Sequence, residues 1–356
     1  MKTWLCAAAL LGGIALPLSA AATFSIVACD ADGSCGAAVA THNLAVGATV
    51  IHAQARVGAI ASQFETHPRH GASGLALLSQ GATASAAIKE LLDKDGAFDD
   101  QGPEWRQLGV VGARGDGAAF TGKQAAASPW AGATSGPGFS AQGNGLAGRQ
   151  VTEAMRDAFL RASGPLAARL MTALEAGRDA GGQSIGAMSA ALLVRTPEGD
   201  WQDVDLRVDA AAEPVLALRR LLNLRQAHDT VLLAERHQRA GHVREARAAI
   251  DEAIRLGSDW DRIWRRAARL DMALGHHEQA LCALTAFAAL NPRWAAAEAG
   301  DPLYRPLQAM PAYQQLLARP VPPDPQAKAS SKAVSVPSDS TVVISVAEEA
   351  TPTSRR

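Results

Sequence analysis

The stretch TFSIVACDADGSCGAAVAT, Thr23 to Thr41, decides the fold. Two short runs of small and β-branched residues flank DADGS, a cluster of turn formers, and that pattern is a β-hairpin. The hairpin sets Cys29 opposite Cys35, which leaves two readings: a disulfide in an oxidising compartment, or two free small hydrophobes. Downstream, GATVIHAQ and GAIASQ continue the strand pattern to about Gly71. SGLALLSQ and TASAAIKELLDKD then carry apolar residues at i, i+3 and i+4 and read as helices. RQLGVVGA and GAAFTG are two further strands, with RGD in the tight turn between them. After the glycine-rich SGPGFSAQGNGLAGRQ come the helices VTEAMRDAFLRA and PLAARLMTALEAG, the latter with Pro165 in its first turn. GAMSAALLVRT and WQDVDLRV close the region as strands. Strands, helices, strands, helices, strands is an order that suits sheets stacked between helical layers better than a regular βαβ alternation.

Upstream of Thr23 stand Lys2, the apolar run WLCAAALLGGIAL and a set of small residues. This is the layout of a secretory signal peptide over residues 1–22, too short for a membrane span, with Ala20 and Ala22 satisfying the small-residue rule for cleavage before Thr23 and Ser19 and Ala21 allowing a cut one residue earlier. A periplasmic or secreted protein with no membrane span is expected. The formal net charge is −1 with no long basic run, which argues against a nucleic-acid partner.

From Glu213 onward the chain reads as helical, and it repeats. Gly241 recurs as Gly275, His242 as His276, Ala246 as Ala280, Leu256 as Leu290 and Trp260 as Trp294, each pair 34 residues apart. That period matches a tetratricopeptide helix pair. The expected organisation is residues 1–22 as leader, 23–226 as an α+β domain, 227–319 as helical repeats with a terminal cap, and 320–356 as a disordered tail rich in Pro, Ser, Ala and Thr. Cys282 falls in a helical pattern and reads as core.

The chemistry-bearing candidates differ in weight. GNGLAG, Gly143 to Gly148, satisfies the dinucleotide glycine pattern but is followed by two helices instead of a strand ending in an acidic residue, so it reads as a backbone turn. His67 and His70 in HPRH lack a third metal ligand in sequence, so neither a metal nor an organic cofactor is expected. By residue type alone Thr23 is more often an ordinary strand residue than a nucleophile. Cleavage before it changes the chemistry, because an N-terminal threonine carries its own base, an α-amine with a pKa near ~8.

TFSIVACDADGSCGAAVAT, AVGA, GAIASQ, GLALLSQGATASAAIKELL, QLGVVGARGDGAAFTG, WAGATSGPGFSAQGNGLAG and VDLRVDAAAEPVLALRRLL, taken in order, resemble the bacterial family known as domain of unknown function 1028. The resemblance runs from Thr23 to about Leu224. That family is similar to the N-terminal-nucleophile hydrolases, whose fold is a four-layer αββα sandwich, and its leaderless members begin Met-Thr-Phe-Ser. The resemblance implies an amide hydrolase acting on a small amide or peptide-like substrate, with Thr23 as nucleophile. Gln63 and Asn144 are the expected oxyanion donors, with Arg56 lowering the local pKa. Gln142, Trp130 and His67 are expected to line the substrate pocket. The competing reading is an inactive sandwich that binds a ligand while the repeats dock a partner protein; related sandwiches also associate as homo-oligomers.

Overall fold

The computed structural model describes residues 22–323; the expected leader up to Ala21 and the tail from Asp324 lie outside them. The chain forms β1 (Thr23–Cys29), β2 (Cys35–Thr41), β3 (Ile51–Gln54), β4 (Gly58–Phe64), α1 (His70–Ser79) and α2 (Ala84–Asp93). There follow β5 (Arg106–Gly112), β6 (Gly117–Thr121), α3 (Lys123–Ala126), β7 (Gly132–Gly136), β8 (Phe139–Asn144), α4 (Gln150–Arg161) and α5 (Leu166–Asp179). β9 (Ser189–Arg195) and β10 (Val204–Val208) precede the long α6 (Pro214–Arg239). The chain ends in α7 (Val243–Gly257), α8 (Asp261–Ala273), α9 (His277–Leu290), α10 (Pro292–Ala299) and α11 (Pro311–Leu317). No helix among the described residues is long and apolar enough to cross a membrane. Two compact units meet at Asp229 and Thr230, within α6.

The first unit holds two antiparallel sheets. One runs β10-β9-β2-β1-β8-β7, the other β3-β4-β5-β6. In the β1–β2 hairpin Cys29 pairs with Cys35, joined by a disulfide, and Thr23 pairs with Thr41 at the open end. Successive side chains of a strand point to opposite faces. On β1, Phe24, Ile26 and Ala28 pack with Met155 and Phe159 of α4, Leu170 and Leu174 of α5 and Leu218 of α6. On the other face, Val27 joins Val39 of β2 with Ala59, Ala61 and Val111 of the second sheet, so the two sheets pack face to face. The remaining face of the second sheet, Ile60, Leu108 and Val110, is covered by Leu78 of α1 and by Ile88 and Leu91 of α2.

Two elements depart from the sequence reading. The expected strand GATVIHAQ starts only at Ile51, because Val46–Ala48 form a 3-10 turn that buries Val46. There Gly47 lies so near Ala191 that a Cβ would stand 2.6 Å from its methyl carbon. The glycine-rich stretch after Trp130 is the β7–β8 hairpin, turned at Gly138, and β8 lies beside β1 at the centre of the larger sheet. Its glycines disguised it, but Phe139 and Ala141 face the helices while Ser140, Gln142 and Asn144 face inward, the alternation of a half-buried strand.

In the second unit the 34-residue repeat is conformational as well as sequential. Gly241 and Gly275 both take left-handed φ, 75° and 76°, between α6 and α7 and between α8 and α9. The following His242 and His276 donate backbone N–H bonds back to His237 (2.9 Å) and Asp271 (2.8 Å), closing equivalent helix ends. Cys282 is exposed and not core: the buried positions of α9 are Ala280, Leu281, Ala283, Leu284 and Phe287.

Candidate functional site

The space between the sheets changes character along β1. At the disulfide end it is apolar; at the Thr23 end the inward positions are Thr23 and Ser25 of β1, Thr41 of β2, Gln63 of β4, Gln107 of β5, and Ser140, Gln142 and Asn144 of β8, all buried. Burying amides and hydroxyls is costly unless they are paired, and this cluster is tightly paired. Gln107 is its hub: its Oε1 accepts from Gln63 Nε2 (2.8 Å) and from Asn144 Nδ2 (2.8 Å), and its Nε2 donates to the Gly143 carbonyl (2.8 Å) and Thr121 Oγ1 (3.0 Å). Ser25 donates to Gln63 Oε1 (2.6 Å) and accepts from Gln142 Nε2 (2.9 Å), while Gln142 Oε1 accepts from Ser140 (3.2 Å). Gln142 has room only because Gly109 stands opposite: a Cβ there would lie 1.8 Å from Gln142 Oε1.

Thr23 sits at the edge of this network. It pairs with Thr41 on one side and with Asn144 on the other. Its hydroxyl is 3.0 Å from the Thr41 hydroxyl, which donates to the carbonyl of Ala22 (2.8 Å). The backbone N–H of His42 points to the same carbonyl at 3.4 Å. The loop carrying His42 is fixed from behind, since Ser189 donates to the Asn43 carbonyl (2.6 Å) and accepts from the Val46 N–H (3.2 Å). Ala22 itself lies against Gly145, where a Cβ would come within 2.5 Å of the Ala22 methyl carbon. The peptide bond before Thr23 thus has its carbonyl gripped by two donors, with a hydroxyl on the residue immediately after it.

The structure therefore brings Thr23, Gln63, Gln142 and Asn144 together, and it separates the others. Arg56 occupies the β3–β4 turn with φ 63°, donates its N–H to the Gly33 carbonyl (2.7 Å), and lies at the disulfide end of β1, about 20 Å from Thr23 for seven extended residues. At that distance it has no influence on the Thr23 hydroxyl. His67 lies in the loop before α1, stacked on His70, which packs on the helix-covered face of the second sheet away from Thr23. Trp130 is near in the chain path, its carbonyl accepting from the Leu146 N–H (3.1 Å), but its ring packs on the helix-side core and not between the sheets. Gln63 and Asn144 are present but not as free donors: both amide groups donate within the network, and the unpartnered atom is the acceptor Asn144 Oδ1.

Thr41, Gln107 and the His42 backbone escaped the sequence reading. The signal for Thr41 was there: it continues the inward row Cys35, Ala37, Val39 with a polar residue, as Gln107 does for the row Gly109, Val111.

Residues 23–218 match the model of a family described as a family of unknown function, DUF1028. The chain belongs to the DUF1028 family. A DUF1028 protein of Silicibacter pomeroyi, known from its crystal structure, is 32% identical, superposes with a TM-score of 0.50, and is matched over 56% of this chain and 88% of its own. A comparison with curated proteins finds no match. The family match ends close to the start of α6, so the helical second unit lies beyond the DUF1028 region.

Proposed function

We propose that this DUF1028 protein is an exported amide hydrolase of the N-terminal-nucleophile type, in which leader removal makes Thr23 the first residue. The observation that carries the reading is the grip of the Thr41 hydroxyl and the His42 N–H on the Ala22 carbonyl, next to the Thr23 hydroxyl. Once Ala22 has gone, the same two donors hold the acyl oxygen of a small amide or peptide-like substrate. Thr23 Oγ1 then bonds to the acyl carbon, and its proton passes to the Thr23 α-amine and from there to the leaving nitrogen as the C–N bond breaks. Water adds to the resulting ester, releasing the acid and restoring the hydroxyl. The two donors stabilise negative charge on the acyl oxygen at each addition.

Three interfaces, helix on sheet, sheet on sheet and sheet on helix, support reading the first unit as a four-layer αββα sandwich. The recurrent turn at Gly241 and Gly275 supports a tetratricopeptide-like second unit that docks a protein partner. One observation favours the competing reading of an inactive ligand binder: Thr23 is only 4% exposed with Ala22 in place. The first measurement is the N-terminal residue of the exported protein by intact mass, followed by turnover of an amide panel. Thr23 at the terminus, turnover kept by Thr23→Ser and abolished by Thr23→Ala, is the expected result. A terminus at or before Ala22, with both variants behaving as the parent, overturns the hydrolase.

A further inference from the structure

The helix-covered face of the second sheet carries a cluster that the Thr23 chemistry does not use. His67 and His70 precede and open α1, Asp95 follows α2, and one ligand atom from each lies within 4.8 Å of the others. The sequence supplied two histidines and no third ligand; the fold supplies it from 25 residues away along the chain. His70 and Asp95 are buried, and His67 stacks on the His70 ring at 4.4 Å.

The His70 ring makes the argument. Its Nδ1 faces Ser62 Oγ at 3.5 Å, and its Nε2 lies 3.3 Å from Asp95 Oδ2 without the alignment of a hydrogen bond, leaving that buried nitrogen unpartnered. In the neutral ring that carries its proton on Nδ1 toward Ser62, Nε2 presents a lone pair to a carboxylate oxygen. Two acceptors so placed are satisfied by a cation between them. Metal-bound histidines characteristically have their second nitrogen oriented by a hydrogen bond, and Ser62 stands in that place. His67 differs: its Nδ1 accepts from the Arg69 N–H (3.1 Å), which puts the neutral ring's proton on Nε2, so ligation through Nε2 requires that bond to open and the proton to move to Nδ1.

Asp95 is held for the purpose. Arg106, itself buried, donates to both its oxygens (2.9 and 3.1 Å) and also to the carbonyls of Glu65 and Phe98. A carboxylate has about four lone-pair sites, so two remain for a metal. Zinc ligands at 2.0–2.2 Å in a tetrahedron stand about 3.3 Å apart. His70 and Asp95 already have that separation, and His67, on a half-buried loop, closes the third edge by a small side-chain movement.

We infer that His67, His70 and Asp95 form a binding site for one divalent transition-metal ion, zinc being the best match to two imidazoles and a carboxylate. Its remaining coordination position opens onto a cavity of about 730 Å³ bounded by α1, α2 and the loop to Phe98, so a water or a small ligand completes the shell.

The test is a zinc titration of the chelator-stripped full chain, by calorimetry and by metal content after gel filtration, in a Cys282→Ser background that removes the exposed thiol. One zinc per chain is expected. His67→Phe keeps the ring stack but removes the nitrogen, and it should weaken binding by more than about tenfold, the loss that altering even an outer partner of a metal ligand brings. Its unchanged circular dichroism would show the fold intact. Thr23→Ala should bind zinc as the parent does, so failure here and failure of the hydrolase reading are separable. Absence of stoichiometric zinc in the parent, or equal affinity in His67→Phe, overturns the site.

Discussion

The hydroxyls of Thr23 and Thr41 stand 3.0 Å apart on paired strands, and Thr41 in turn donates to the Ala22 carbonyl at 2.8 Å. Thr41 is therefore the side-chain donor aimed at the carbonyl beside the nucleophile. Thr41→Val keeps shape and removes the donor, and we expect kcat on a cleaved amide to fall about 10²–10³-fold with KM little changed, the loss seen for one oxyanion donor. Thr41→Ser should recover most of it. Steady-state kinetics on both variants decide the matter, and a Thr41→Val enzyme with parental kcat removes Thr41 from the mechanism.

Gly109 and Gln142 are a matched pair. A methyl group at 109 would occupy the space of the Gln142 amide and expel it from Ser25 and Ser140. Gly109→Ala should cost about 1–3 kcal/mol by overpacking alone, with a further loss from amides left unpaired. In Gln142→Ala the same glycine substitution should be tolerated far better. Denaturant melts of the two singles and the double give the coupling energy; additive losses would mean that the two residues are independent.

The alternation of β1, β2, β4, β5 and β6 was legible because each keeps one apolar face, whereas Thr23, Gln63, Gln142 and Asn144 were reached through the leader junction and the family resemblance. The β7–β8 hairpin was obscured, since five glycines from Gly132 to Gly145 mask its period, although their small size is what lets β8 lie against its neighbours. Arg56 was misplaced because a strand sequence does not tell which end of the hairpin lies near Thr23; the register Cys29↔Cys35 and the bond to Gly33 do. Asp95 was not legible because it stands 25 residues beyond His70, and only the folding back of α1 and α2 brings it against that ring.

Gly241 and Gly275 carry equal φ at equivalent turns, with open space where a Cβ would stand. The cost of a side chain there is conformational and not steric. Gly241→Ala and Gly275→Ala should each destabilise the second unit by about 1–2 kcal/mol. Asn at either place, a residue that visits left-handed φ, should cost less. Thermal melts of the four variants check this, and an unequal cost at the two glycines would break the repeat equivalence.

His70 predicts an acid limb of stability with a defined sign. Its pKa is about 4 when folded, against about 6.5 for a free histidine. Below 6.5 the unfolded chain takes up a proton that the folded chain does not, so stability falls as pH drops from about 6.5 to 4, by about 3 kcal/mol in total, and levels off below. His52, lowered chiefly by burial, contributes in the same direction. Asp95 acts elsewhere: its depressed pKa gives stability that is present above about 4 and is lost only as the pH falls through its folded value. In metal-free buffer, urea melts from pH 7 to 4 should show the slope in the parent and a shallower one in His70→Gln, whose amide does not titrate. Parallel pH profiles in the two proteins would mean that His70 is protonated in the fold, and its Nε2 would then hold a hydrogen against Asp95.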